Sequence, residues 1–389
     1  MTDKKRKLIF IHQLRAVAAL MVIAWHLGIM FWYSNETISS TFFLKPISGG
    51  KDNLNFLYTN IVEAFMNLGF DFGRFGVAIF FLISGFIIPY SIKENNEIKA
   101  KIMFLVKRVL RIWPVYICGF SIAFLVLFCY TKITYGNFTY SVKDYLIQAS
   151  LLRDWFWVPS IDGISWTLEV EIKFYLLIFV LLLFNKLYSK STVAILSMVM
   201  ALYNILLFAN TEKLILYNVR LYQIMSVIGD SFIYLTFVLI GLAFYCLYSG
   251  KWDKSIFFLL LQCLIFSFLL SILNSGNKVV LKQFVVNYLG AILLFGDFYL
   301  MRDRLKENKF LSFMGDKSFA IYLLHGLTGY VLLSVFMDIG FPAPLCLVLS
   351  VGIVLLLVIG FCRFIEKPIQ KVSGNIINKL QHLIEMKGS

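Results

Sequence analysis

LIFIHQLRAVAALMVIAWHLGIMFWY, residues 8–33, is an apolar stretch long enough to cross a bilayer, and it carries Arg15 and His26 inside it. Eleven residues of α-helix turn through about 1,100°, three turns plus roughly 20°, and climb about 16 Å. An ideal helix therefore puts the guanidinium and the imidazole on one stripe, the first near the cytoplasmic side and the second beyond mid-depth. An ionisable group in a membrane helix costs roughly 2.5–3.5 kcal/mol on insertion scales and marks a pathway or a site. Two on one stripe point to a site.

Working outward, the 389 residues are 60% hydrophobic, 17% aromatic and only 15% charged, with a mean hydropathy of +0.80. Soluble domains are about 45–50% apolar and 25% charged, so the chain reads as an all-α polytopic membrane protein. Ten spans are expected, near residues 9–33, 73–91, 111–130, 163–184, 191–209, 221–248, 255–273, 280–300, 314–337 and 344–363. Residues 1–365 form the transmembrane unit and 366–389 a tail. The first span follows Lys4, Lys5, Arg6 and Lys7; with Arg and His in its core and no small-residue cleavage site after it, it reads as retained.

The net charge of +14 is distributed as topology requires. With the N-terminus inside, 23 of the 36 Lys and Arg residues fall in cytoplasmic segments, Lys93 and Lys387 among them, and ten in outside segments. This bias orients both termini to the cytoplasm and excludes a nucleic-acid face. The six cysteines lie in or at the edges of spans without metal-ligand spacing and read as buried thiols. The tail spaces Ile369, Val372, Ile376, Ile377, Leu380, Leu383 and Ile384 as an amphipathic helix for the inner leaflet, with His382 solvated.

Two outside loops exceed turns, residues 34–72 and 131–162. The first contains NFLYTNIVEAFMNLGF, a candidate interfacial helix. The second ends in RDWFWVPSIDG, whose Trp155, Phe156 and Trp157 are either an interface belt or a stacking surface for sugar rings. Trp155, Trp157, Trp166 and Asp162 are the candidate acceptor-binding residues.

DGISWTLEVEIKFYLL opens the fourth span. Glu169 and Lys173 stand at i,i+4 and can neutralise each other. Glu171 has no partner at that spacing and needs one from another helix. A His26–Glu171 pair would bury both groups and orient the imidazole for proton abstraction, or serve as a purely structural ion pair. His325, about a dozen residues into the ninth span, is either a packing histidine or a third site residue. Ser84 and Gly85 in FGVAIFFLISGFIIPY mark close helix approach or a backbone surface for a thin ligand. Arg108 and Arg111, at i,i+3, are ordinary inside charge or a phosphate clamp. The chain has no G-x-S-x-G elbow, Gly-rich phosphate loop or metal pattern, which argues against a serine hydrolase, a nucleotide-driven pump and a metalloenzyme.

Taken together, these segments resemble the acyltransferase-3 family of integral membrane acyltransferases. The matching pieces are Arg15 and His26 at their ten-residue separation, GVAIFFLISGF at 76–86, Arg108 with Arg111, SWTLEVEIKFYL at 165–176, SFAIYLLH at 318–325 and Glu366–Pro368. They recur in the family's order from the first span to the last. The resemblance implies ten membrane helices and transfer of an acyl group, commonly acetyl, from cytoplasmic acyl-CoA to a sugar hydroxyl at the outer face. It makes Arg15, His26 and Glu171 the catalytic set, with His325 beside them. Arg108, Arg111, Arg15, Ser84 and Gly85 become the acetyl-CoA contacts. Tyr322, Trp166 and His325 are the candidates to steady the oxyanion. Family members often have Asp-Gly-Leu-Arg where this chain has His12-Gln13-Leu14-Arg15, so His12 at i−3 is the candidate to position the arginine. The expected setting is a multi-pass position in a bacterial plasma membrane, with acyl-CoA, a glycan and lipid as partners and no metal or nucleic acid. A glycan or lipid-intermediate flippase is the competing class. It predicts repeat symmetry and paired broken helices, and the sequence shows neither; a sensor or scaffold needs no Arg–His stripe.

Overall fold

The computed structural model describes residues 8–92, 97–273 and 278–386. Lys4, Lys5, Arg6, Lys7, Lys93 and Lys387 lie outside the described residues, as do the side chains of His382, Leu383 and Ile384. Among the described residues the regular structure is entirely helical. The first half of the chain comprises α1 (Ile9–Tyr33), α2 (Asn35–Phe42), α3 (Phe56–Asn67), α4 (Phe72–Tyr90), α5 (Ile98–Tyr135), α6 (Val142–Ala149), α7 (Trp166–Leu183) and α8 (Lys190–Ala209). The second half comprises α9 (Thr211–Tyr217), α10 (Val219–Tyr248), α11 (Lys254–Leu273), α12 (Lys278–Leu300), α13 (Lys309–Asp316), α14 (Ser318–Ile339), α15 (Ala343–Phe361) and α16 (Lys367–Met386). In lipid a helix satisfies its backbone groups within itself, which is why the long apolar runs wind this way.

Nine helices among the described residues are long and apolar enough to cross a membrane. The tenth expected span is α7, an 18-residue helix set apart by Glu169, Glu171 and Lys173. The bundle end that carries Leu8 and α16 is the proximal end; the loops at 34–72 and 131–165 crown the distal end.

Two departures from the expected spans matter for the site. Helix α5 begins 13 residues before residue 111; its 38 residues reach about 57 Å, well beyond a hydrocarbon core of about 30 Å. Its proximal turns therefore stand clear of the core and carry Arg108 and Arg111. The tail, expected to lie on the leaflet, instead continues α15 through a π-helical turn, Cys362–Glu366, and packs on α5. The contact has a local cause. Pro114 lacks the N–H that would bond the carbonyl four residues back, at Leu110. Ser373 Oγ donates to that Leu110 oxygen at 2.9 Å.

Two apolar clusters form the interior. One joins α4, α7, α8, α10, α11 and α12, with Phe10 and Leu14 from α1. The other joins the distal half of α1 to α5, α14 and α15. Where α4 meets α10, a Cβ on Gly85 would run into the Val238 carbonyl and Gly241 Cα, and one on Gly241 into the Leu82 carbonyl. Two side-chain-free residues let these backbones touch. Gly85 is thus used for packing and lines neither of the donor-side cavities described below.

Candidate functional site

The seam between the two clusters is hollow. A cavity of about 310 Å³ is lined by Arg15 of α1, Ser84 of α4, Arg108 and Arg111 of α5, Glu171 of α7 and Tyr322 of α14. Residues that the sequence scatters over more than 300 positions thus meet in one hollow. Arg15, half-buried, makes no hydrogen bond or ion pair among the described residues; Glu171, Asp316 and Glu366 share its cavity. Glu171 accepts from Tyr175 Oη and, at 3.4 Å, from Ser84 Oγ.

A second cavity, about 550 Å³, adjoins the first toward the proximal end and shares Arg108, Arg111 and Gln370 with it. Lys101 and Lys107 complete its cationic wall, and no carboxylate lines it among the described residues. Arg108 is buried at the junction. Its guanidinium bonds Ser91 Oγ and lies 5.5 Å and 5.7 Å from the ring centres of Phe104 and Tyr175, a stacked setting that suits Arg and not Lys. Gln370, Ser373 and Ile377 of α16 form the facing wall.

His26 and His325 line neither cavity. Residues Ala24–Met30 are π-helical, a winding found at functional sites, and His26 lies against Tyr330 and His325 of α14, outside the cavity that Arg15 lines. The expected His26–Glu171 pair is absent. His26 Nδ1 lies 2.6 Å from Tyr330 Oη, whose hydroxyl reaches Met30 Sδ at 3.6 Å. With the proton on Nδ1 and donated to Tyr330, the Nε2 lone pair is free. His325 is 0% exposed. Its Nδ1 donates to the Ile321 and Tyr322 carbonyls, both at 2.9 Å, and its Nε2 has no partner. The imidazoles meet edge to face with centres 5.0 Å apart, and the Tyr322 ring lies 6.4 Å from His325. Tyr322 is therefore the wall between the head of the cavity and the imidazole pair. Its hydroxyl bonds the Ile164 carbonyl and Thr167 Oγ1.

His12 does not hold Arg15. Its Nδ1 lies 3.4 Å from Asp316 Oδ1, and Gln13 Nε2 donates to the Lys306 carbonyl at 2.7 Å. The carboxylate facing residue 12 thus comes from α13.

At the distal end a third cavity, about 520 Å³, is lined by Trp157 and Trp166 with Arg153, Asp154, Glu169, Lys173 and Asp230. The expected Glu169–Lys173 pair is replaced by a crossed arrangement. Arg153 grips Glu169 with both arms, Nε at 2.9 Å and Nη2 at 2.8 Å, while Lys173 pairs with Asp154. A planar fork matches a carboxylate better than an ammonium does. Lys173 also lies 5.5 Å from the ring centre of Trp155, so Trp155 backs this wall and does not line it. Asp162 leaves the acceptor set altogether. It is buried, and its Oδ1 accepts from the Ile164 and Ser165 amides, both at 3.1 Å, and from Ser160 Oγ. It builds the turn into α7.

Tyr330, Asp316, Arg153, Asp154 and Asp230 went unnoticed in the sequence. Asp230 had a signal, a carboxylate within an apolar run. Asp316, Arg153 and Asp154 sit at a helix end and in a loop, where a charged residue is unremarkable until folded, and Tyr330 is one aromatic among many within a span.

Comparison with known proteins agrees with the fold. The family profile described as Acyltransferase domain matches residues 8–363. A segment of 109 residues is 31% identical to the acyltransferase MdmB of Streptomyces mycarofaciens; it covers 27% of this chain and 27% of that protein. No solved structure matches. With its profile running from the first span to the last, the chain belongs to the acyltransferase-3 family.

Proposed function

We propose that this multi-pass protein moves an acyl group, acetyl in its simplest form, from acyl-CoA to a hydroxyl of a cell-surface or lipid-linked glycan. The proximal end is cytoplasmic, the distal end extracytoplasmic, and the membrane is a bacterial plasma membrane. The observation that carries this reading is the pair of adjoining cavities. One gathers four cations, with no carboxylate among its described lining residues, and the other leads from it along Arg15 and Glu171 toward two imidazoles.

CoA is a polyanion with a long, thin, uncharged arm. Its phosphates suit Lys101, Lys107, Arg108 and Arg111, and charge-assisted hydrogen bonds of this kind contribute about 1.5–3 kcal/mol each. The pantetheine arm then follows the narrower cavity past Arg15 and Ser84, so the thioester approaches the distal half while the nucleotide stays inside. Tyr322 must turn aside for the thioester to meet the imidazoles. His26 Nε2 takes the proton from the acceptor hydroxyl, whose oxygen attacks the thioester carbonyl. The tetrahedral intermediate collapses with cleavage of the C–S bond, and the leaving thiolate takes the proton back from His26. Tyr330, holding Nδ1, keeps Nε2 basic throughout.

The test supplies labelled acetyl-CoA to the proximal side of proteoliposomes and a glycan to the other. Ester should form on the glycan, and His26→Ala should lower its rate by about 10³ with CoA binding retained. Ester formation by the variant at the wild-type rate would refute the role of His26. Movement of unmodified glycan across the bilayer, with no ester, would favour a flippase.

A further inference from the structure

The distal cavity is unused by the donor half of this scheme, and its chemistry differs from that of the other two. Trp166 stands against Tyr234, ring centres 5.2 Å apart, and Trp157 is 45% exposed at the mouth. Aromatic faces of this kind pack the C–H face of a ring ligand. The polar wall mixes donors and acceptors. Arg153 and Lys173 are satisfied by Glu169 and Asp154, and all four side chains are at most 17% exposed. Asp230 has no hydrogen bond or ion pair among the described residues, and it points its carboxylate into a cavity that already contains aromatic walls and paired charges.

We propose that this cavity is the docking subsite for a neutral saccharide, with Asp230 accepting hydrogen bonds from two adjacent hydroxyls. The inference deepens the acyltransferase reading and rests on it. A hydroxyl is both donor and acceptor, and only such a group is served by every polar atom in this wall. Three carboxylates against two cations leave the lining one charge negative, which repels phosphate and uronate. A quaternary ammonium would find the aromatics and Asp230 but would meet Lys173 and Arg153 beside them. The site is next to the chemistry without being part of it. Trp166 touches Phe81, centres 6.3 Å apart, and Phe81 lines the cavity that holds Arg15. These two rings are the partition between docked acceptor and donor.

The experiment titrates the full-length protein in nanodiscs with maltotriose, cellotriose, mannotriose and N-acetylchitotriose, following tryptophan fluorescence and calorimetric heat. Trigalacturonate and phosphocholine are the charged controls. At least one neutral trisaccharide should bind, and Asp230→Asn should weaken it tenfold or more; Asp230 makes no hydrogen bond or ion pair among the described residues, so the near-isosteric variant should fold. Trp157→Ala should weaken it several-fold, and neither variant should alter acetyl-CoA affinity. Absence of binding by all four neutral sugars overturns the proposal. So does wild-type affinity in Asp230→Asn, equal binding of trigalacturonate, or displacement of sugar by phosphocholine. Sugar binding that depends on Asp230, in a protein that forms no ester, would uphold the subsite and sink the transferase reading. Ester formation without sugar binding would do the reverse.

Discussion

At the proximal end, Lys101, Lys107, Arg108 and Arg111 surround about 550 Å³ with no carboxylate among the lining residues. At the distal end a cavity of nearly the same size, about 520 Å³, has five charged groups in its wall, four of them paired. The first arrangement is costly as it stands, because like charges repel across a partly buried space. It becomes favourable when a polyanion enters. The second is electrostatically complete apart from Asp230, and a charged visitor would disrupt pairs already made. The contrast teaches that one protein can present opposite selectivities at its two ends by gathering cations along one wall and crossing ion pairs in the other.

The sharpest way to break that contrast is to unbalance the distal pairs. Arg153→Ala leaves Glu169, only 2% exposed, as a buried carboxylate without its fork. Removing one member of a buried pair costs about 3–5 kcal/mol. Thermal unfolding in detergent should show that loss as a lower Tm. Arg153→Ala with Glu169→Gln should recover most of it, since the amide needs no countercharge. Lys51→Ala is the control. Its pair with Glu63 is exposed and 2.7 Å long, and surface pairs contribute at most about 1 kcal/mol. If Arg153→Ala and Lys51→Ala lower Tm equally, the distal wall is not the closed system described above.

Next in size is the proximal end. Arg108→Ala with Arg111→Ala should weaken acetyl-CoA binding about 100-fold, equivalent to about 2.7 kcal/mol, and leave saccharide binding as in wild type. The same binding should weaken as salt is raised, because the cationic wall is open to solvent and screened within about 10 Å at 0.1 M. Wild-type affinity in the double variant would mean that the basic cluster serves topology alone.

These two ends were not equally legible. The donor half could be read because each of its residues breaks a rule of its surroundings. Arg15 and Glu171 are charges inside apolar runs, and Arg108 and Arg111 are arginines at a lysine's usual place. What they pair with was not legible. The i,i+4 rule joined Glu169 to Lys173 although a loop arginine with better geometry was 16 residues away. The period of an ideal helix joined His26 to Arg15, whereas the fold sets His26 against Tyr330 and His325 of α14 and Arg15 in the cavity. Local spacing knows nothing of a partner on another element, and tertiary geometry overrides it. Gly85 shows the same limit. Its sequence is compatible with a ligand surface or a helix contact, and only the facing Gly241 decides. The tail's contact with α5 was not legible because amphipathicity gives a face but not its occupant, and the orphaned Leu110 carbonyl depends on Pro114 in a helix some 260 residues earlier.

The smallest expected effect concerns the imidazole itself. Tyr330→Phe removes the hydroxyl 2.6 Å from His26 Nδ1 while keeping the ring that stacks on Phe31. A net hydrogen bond contributes about 0.5–1.5 kcal/mol, so kcat should fall by up to about tenfold. The reason is tautomeric: without that acceptor the proton can move to Nε2, and the fraction of imidazole ready to take a hydroxyl proton drops. KM for acetyl-CoA should stay unchanged, because Tyr330 lines neither donor cavity. Tyr330→Phe thus separates the imidazole pair from both charged ends. A rise in KM with constant kcat would place the hydroxyl in substrate binding, and an unchanged kcat would mean that His26 is oriented by its backbone alone.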